Sequence, residues 1–307
     1  MRRHRFGKTG LSVTELGFGG APIGTLQTAE QDVGAVVNAL LDAGVDVIDT
    51  AAIYGGSEEA IGRTVAHRRS EFVLISKCGQ AFPDLPGEAW SAQLISATID
   101  RALKRLRTDY LDVMLLHSCD LDVLRRGDAL GAVAKARQSG KVRFVGYSGD
   151  NEAAAYAVTL PEVAVLETSV NLCDQANIDR VLPLAREHDV GVIAKRPLAN
   201  TAWRNPQELF GFYQEYARPY HERFLAMQLT AESLGFTDAD WPEIALRFTL
   251  SQPDVSTAII GTTKRANAGR NLELVRKGPL APAVVKQIRE AFAAAEKRSG
   301  RSWPGLT

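Results

Sequence analysis

Hydrophobic residues along this chain fall into short runs that are apolar nearly throughout, separated by longer stretches in which apolar positions recur every three to four residues. The short runs occupy 15–19, 45–49, 72–77, 111–117, 142–148, 163–167, 191–195 and 255–261. They lack strict in-and-out alternation, as expected of strands covered on both faces. The longer stretches have a helical period. Leu94, Ile95, Thr98, Ile99, Ala102, Leu103 and Leu106 share one side of such a helix, Asp100, Arg101, Lys104 and Arg105 fill the other, and Ser91 suits its N-cap. Similar patterns predict helices over 33–41, 130–138, 178–188 and 244–250.

Alternation of strand and helix eight times over 307 residues predicts a (β/α)8 TIM barrel. An open doubly wound sheet fits less well, because the first strand-to-helix turn, running from Gly17 to Pro22, lacks the spaced Gly-x-Gly-x-x-Gly that cradles a pyrophosphate in that fold. The segment from Gly7 to Gly10 reads as a tight turn between two short strands, a hairpin capping the barrel bottom. Residues 282–297, with Val284, Val285, Ile288 and Phe292 on one face, predict an extra C-terminal helix. A 45% hydrophobic share is ample for residues 1–307 to form a single barrel domain. One segment breaks the pattern. After the seventh strand, residues 200–220 carry Trp203, Phe210, Phe212, Tyr213, Tyr216 and Tyr220, either a surface helix with its own hydrophobic cluster or a loop that touches substrate.

Charge narrows the partners. Thirty-six basic residues balance thirty-six acidic ones, so no global field draws the chain to nucleic acid or to an anionic membrane. The basic N-terminus is not followed by an apolar stretch of signal-peptide type, and no window approaches a membrane span, so a cytoplasmic protein is expected. Cys78, Cys119 and Cys173 are too scattered for a disulfide framework and read as reduced thiols. Nothing in the pattern encodes an oligomeric state.

The chemistry gathers at strand ends. Asp49 closes the second apolar run, Tyr54 follows five residues later, Lys77 closes the third run and His117 the fourth. Parallel barrel strands bring their C-terminal ends to one face, so a carboxylate, a phenol, an amine and an imidazole would meet there and could move a proton on a carbonyl or an alcohol. Each also has a structural reading: a buried Asp–Lys pair or a rim Tyr or His often only satisfies the core.

With these residues in place the chain resembles the aldo-keto reductases over essentially its whole length. The resemblance rests on the early Gly-Lys-Thr-Gly-Leu turn, Asp49-Thr-Ala-x-x-Tyr54-Gly, Ser76-Lys77, Leu-Leu-His117, Gly146-x-Ser148, Ile260-Gly-Thr and Asn271-Leu. It implies a nicotinamide-dependent oxidoreductase with Asp49, Tyr54, Lys77 and His117 as its catalytic residues and Tyr54 as the acid. On this reading Lys77 lowers the phenol's pKa from about 10. Asp49 neutralises Lys77, and His117 donates a hydrogen bond to the substrate oxygen.

The same resemblance implies a cofactor groove built from Gly20, Ser148, Glu167, Lys195, Arg196, Pro197, Leu198, Gly261, Thr262, Lys264, Arg265, Arg270 and Asn271. Three departures alter it. Glu167 stands for the usual glutamine and can accept but not donate, Gly149 stands for an asparagine, and Lys195 stands where many members stack an aromatic on the nicotinamide. Lys195 and Arg196 could instead reach the pyrophosphate or an acidic substrate, or pair with carboxylates at the rim. Lys264, Arg265 and Arg270 imply a preference for NADP(H), with NAD also possible and Asn267 where an arginine is common. Phe82, Trp90 and Trp203 are candidate contacts to a small carbonyl or alcohol substrate. Two other functions compete. One is a cofactor-sensing regulatory protein with slow turnover; the other is a metal-dependent barrel hydrolase using Asp49, His117 and Cys119, for which the first strand end offers no ligand.

Overall fold

In the computed structural model, which describes residues 1–209, 211 and 213–306, all eight predicted runs become parallel strands. A two-stranded antiparallel hairpin comes first, β1 (Arg3–Arg5) and β2 (Ser12–Thr14). The barrel strands are β3 (Leu16–Gly19), β4 (Val47–Asp49), β5 (Val73–Cys78), β6 (Leu111–His117), β7 (Val142–Ser148), β8 (Val163–Ser169), β9 (Gly191–Lys195) and β10 (Thr257–Ile260). They close in sequence order, β10 pairing with both β9 and β3.

Period-two alternation explains the site's position. Val47, Val73, Ile75, Val113, Leu115, Val165, Ile193 and Ile259 form a core inside the barrel, and Phe6 and Val13 of the hairpin region plug its bottom. Two residues further along the same strands stand Asp49, Lys77, His117, Glu167 and Lys195, each continuing an inward-facing column toward the C-terminal rim. Outward residues such as Ile48, Leu74, Met114 and Leu166 join the helices in a larger core.

The helices follow their periodic faces. Helix Ala92–Leu106 begins at Ser91, whose side chain accepts from Leu94 N, and buries Leu94, Ile95, Thr98, Ile99, Ala102 and Leu106. The expected helix over 178–188 is instead two, Ala176–Arg180 and Leu182–Glu187, separated at Val181. Pro183, which lacks an N–H and crowds the preceding turn, accounts for the break. The C-terminal helix spans Pro282–Ser299 and buries Ile288 and Phe292. The 200–220 insertion forms two single turns, Ala199–Thr201 and Pro206–Glu208, before helix Tyr213–Met227; Phe210 and Phe212 lie outside the described residues. Among the described residues no helix is long and apolar enough to cross a membrane.

Candidate active site

Lys77 is fully buried, with Asp49 1% and Glu167 3% exposed. Its Nζ donates to Asp49 Oδ1 at 2.5 Å, to Asp49 Oδ2 at 2.6 Å and to the Thr50 carbonyl at 3.1 Å, and Glu167 Oε2 stands 3.1 Å from it on the other side. Burial alone would discharge the amine, but Asp49 and then Glu167 outweigh it and hold its pKa above the ordinary lysine value. Two carboxylates now share one cation. Burial, and next the neighbouring Glu167 charge, push Asp49 well above the usual carboxylate range against the pull of Lys77.

Tyr54 hangs from a tight turn after β4, its N–H donating to Ala51 O and its carbonyl accepting from Ser57 N. Helix Ala21–Thr25 presses on this turn at Gly24, where a β-carbon would overlap the Gly55 backbone. The Lys77 Nζ lies 5.4 Å from the Tyr54 ring centre, and the His117 ring meets Tyr54 edge-on at 5.9 Å and 87°. The phenol's pKa is raised, not lowered as the sequence suggested. Burial dominates, Lys77 works against it, and Asp49 and Glu167 add to it. Enclosure thus stores the proton on Tyr54, and Lys77 tempers that effect without reversing it.

Burial, followed by the charges of Lys77, Lys195 and Arg196, holds His117 well below the ordinary histidine pKa, so the ring is neutral near pH 7. Gln80 Nε2 fixes its backbone by donating to His117 O at 2.6 Å. The His117 Nδ1 is buried with no hydrogen-bonding partner among the described residues, and so is Asn171 Nδ2 beyond the end of β8. Such orphaned polar atoms cost stability unless a ligand or water meets them.

The neighbouring cations are committed internally. Lys195 pairs with Asp150 at 3.0 Å, which also accepts from Thr168 Oγ1, Ser169 N and Asn177 Nδ2. Arg196, in a left-handed backbone conformation with φ of 58°, donates to Tyr220 OH at 2.8 Å, Ser169 Oγ at 3.2 Å and the carbonyl of Leu306. Its guanidinium lies 4.8 Å from the Tyr216 ring centre. Pairing with a rim carboxylate therefore describes Lys195 but not Arg196, whose partners are hydroxyls and a carbonyl, and a ligand's anion would have to share or displace these partners.

Sequence reading missed this C-terminal segment. Leu306 N donates to Asp174 Oδ2 at 2.9 Å, Gly305 and Asn151 exchange two hydrogen bonds, and Arg223 Nη2 donates to Pro304 O at 2.8 Å. Trp303 packs edge-on against Phe292 at 5.1 Å. A buried-type aromatic six residues beyond a predicted helix end was the available signal.

Other predicted residues have packing partners of their own. Phe82 lies under the Arg101 guanidinium at 4.0 Å. Trp90 packs on Gly79, just past the end of β5, and lines a cavity of about 550 Å³ between residues 88–92 and 123–135. Trp203 stacks on Trp241 at 6.4 Å, which in turn meets Phe224. For these three the contacts seen are packing. Tyr216 of the insertion reaches the cluster's surroundings, where Arg196 and Glu167 act on its phenol.

The residues expected to form a cofactor groove lie around the same rim. Ser148 closes β7 opposite both His117 and Glu167 in register. Gly20 N donates to Asp49 O, and Pro197 and Leu198 continue from β9 onto the barrel's outer packing. Beyond β10, Gly261 and Thr262 lead to helix Arg265–Arg276, with Asn271 half-buried within it. Lys264 and Arg265 are exposed and have no ion pair among the described residues, whereas Arg270 donates to Asn267 Oδ1 at 2.6 Å. An open helix N-terminus flanked by free cations fits a phosphate, and the orphaned polar atoms at the strand ends fit the polar end of a nicotinamide. For metal, no three His, Cys, Asp or Glu side chains among the described residues converge.

The profile of the Aldo/keto reductase family matches residues 15–293, and the chain belongs to that family of oxidoreductases. L-galactose dehydrogenase of Arabidopsis thaliana is 26% identical over 318 residues, covering 97% of this chain and 95% of its own. D-threo-aldose 1-dehydrogenase of a Pseudomonas species is 27% identical over 296 residues, covering 86% and 90%. The holo form of the aldo-keto reductase AKR11C1 from Bacillus halodurans shares the fold with a TM-score of 0.80 at 24% identity, over 95% of this chain and 96% of that one.

Proposed function

We propose that this protein interconverts an aldehyde or ketone and its alcohol by hydride transfer with NADP(H), Tyr54 acting as general acid and base. The observation that carries this reading is the convergence of Tyr54, His117 and the Asp49–Lys77 pair at one barrel rim. A bound nicotinamide would supply or accept the hydride. Everything else falls to the side chains.

Neutral His117 and Tyr54 hold the substrate oxygen between them, placing the reacting carbon toward the rim where Ser148 and Glu167 stand. As negative charge develops on that oxygen, Tyr54 gives up its proton and Lys77 stabilises the phenolate, which works only because its charge is fixed. Asp49 keeps that ammonium in place. In the oxidative direction the phenolate takes the hydroxyl proton back. Lys264 and Arg265 would hold the adenosine phosphate, with Thr262, Arg270 and Asn271 beside them. Gly20, Gly261, Pro197 and Leu198 would form the groove's walls, and Lys195 and Arg196 its rim.

Two relatives named as sugar dehydrogenases support a polyhydroxylated substrate class, and the open, charged rim is compatible with one. The test is steady-state turnover at 340 nm: NADPH oxidation with a panel of aldehydes and ketones, and NADP⁺ reduction with aldoses and simple alcohols. Turnover with at least one substrate, above the no-protein rate, is expected. Cofactor binding without turnover across both panels would contradict the assignment.

A further inference from the structure

A carboxylate that touches the reacting cluster but has no part in proton transfer deserves a role of its own, and Glu167 is that group. Asp49 alone supplies the two oxygens that hold Lys77, at 2.5 and 2.6 Å. Glu167 brings a second carboxylate to within 3.1 Å of the same ammonium, 3% exposed, with Oε2 making no hydrogen bond among the described residues. Glu167 is thus a second carboxylate set against a single ammonium. Of the other cations at this rim, Lys195 is paired with Asp150, while Arg196 meets hydroxyls and a carbonyl and keeps its charge. Burial, and next Glu167, raise the Asp49 pKa, so the second carboxylate is felt at the pair.

We infer that Glu167 selects the redox state of the bound nicotinamide, favouring the oxidised, cationic ring over the reduced, neutral one. The inference rests on the proposed hydride-transfer reading. For hydride to pass, the ring must lie against the carbon whose oxygen Tyr54 and His117 hold, which places it within several ångströms of Glu167. A fixed buried anion at that range acts on a cation and leaves a neutral ring unaffected, and water is too scarce there to screen it. The consequence is a site that rests loaded with the oxidised cofactor, poised for alcohol oxidation, and in which carbonyl reduction is slowed by strong inhibition from its own oxidised cofactor.

The experiment is equilibrium titration of the full chain with NADP⁺ and with NADPH, followed by quenching of tryptophan fluorescence, for the parent, Glu167→Gln and Glu167→Asp. Expected is a rise of roughly tenfold or more in Kd for NADP⁺ relative to NADPH in Glu167→Gln, the size of one unit charge acting across several ångströms at an effective permittivity near 20. Glu167→Asp, which keeps the charge, should retain the parent ratio. A ratio unchanged in Glu167→Gln, with both forms still binding, would overturn the inference and leave the hydride-transfer reading standing. Failure of the parent to bind either form would overturn that reading itself. If Glu167→Gln unfolds, a Glu167→Asp ratio shifted toward NADPH by as much as a lost charge would equally overturn the inference.

Discussion

Lys77 stays charged inside an apolar barrel because its hydrogen bonds to Asp49 and its contact with Glu167 replace the water it gave up. Removing the cation leaves two carboxylates facing each other without compensation. Lys77→Met should therefore destabilise the fold by about 3–5 kcal/mol, read by chemical denaturation, and lower kcat/KM at least a hundredfold. A variant with parent stability would show that the carboxylates do not depend on the ammonium. Asp49, Lys77 and His117 were legible in the sequence because each is a polar residue ending a buried apolar run, where only function or pairing repays the cost of burial. The direction of Tyr54's pKa was not legible. It depends on how tightly three other strand ends enclose the phenol, and on the second carboxylate, Glu167, which lies more than a hundred residues away in the chain.

Among the elements, the helix that follows β10 carries the clearest selectivity. Lys264 and Arg265 stand at its N-terminus without ion-pair partners among the described residues, so a phosphate gains both their charge and the open N–H groups. A charge-assisted hydrogen bond is worth about 1.5–3 kcal/mol. Lys264→Ala/Arg265→Ala should thus cost NADPH roughly ten- to a hundredfold in kcat/KM and leave NADH use nearly unchanged. An equal loss with both cofactors would show that these cations do not read the 2′-phosphate. The strands were readable nearly to the residue because a buried parallel strand has no choice but continuous apolarity. Other elements were not. The break at Val181 follows from Pro183, a visible signal that helical periodicity outweighed, whereas the engagement of Lys195 by Asp150 joins the ends of β9 and β7, two strands apart in the barrel, which no local pattern records.

Across the whole molecule, the C-terminal segment ties the last helix to the catalytic rim, and Asp174 is its anchor. Burial and the nearby Asp150 push this carboxyl up to about 7, against the pull of the Leu306 N–H and Arg223. The folded value exceeds the unfolded one of about 3.9. Its contribution to stability is therefore fully present below pH 4 and is lost as pH rises toward 7. Comparing Tm at pH 5 and pH 8, the parent should lose more stability over that interval than Asp174→Asn, in which the titration is absent. Identical pH dependence in the two would remove Asp174 from the account. The tail itself escaped the sequence reading because Leu306 finds its partners more than a hundred residues back, at Ser169, Asp174 and Arg196, and Trp303 lies under Arg223 as well as against the nearer Phe292 and Glu296.

The central claim, that Tyr54 moves the proton in a nicotinamide-dependent carbonyl reaction, is tested most directly by Tyr54→Phe, which removes the phenolic oxygen and little else. Turnover of the best carbonyl substrate and Kd for NADPH should be measured side by side for the parent and this variant. The account predicts a fall in kcat of roughly a hundred- to ten-thousandfold with Kd for NADPH within about twofold of the parent, since the phenolic oxygen contributes at most one modest hydrogen bond to binding. A Phe variant that turns over near the parent rate with the cofactor bound would contradict it.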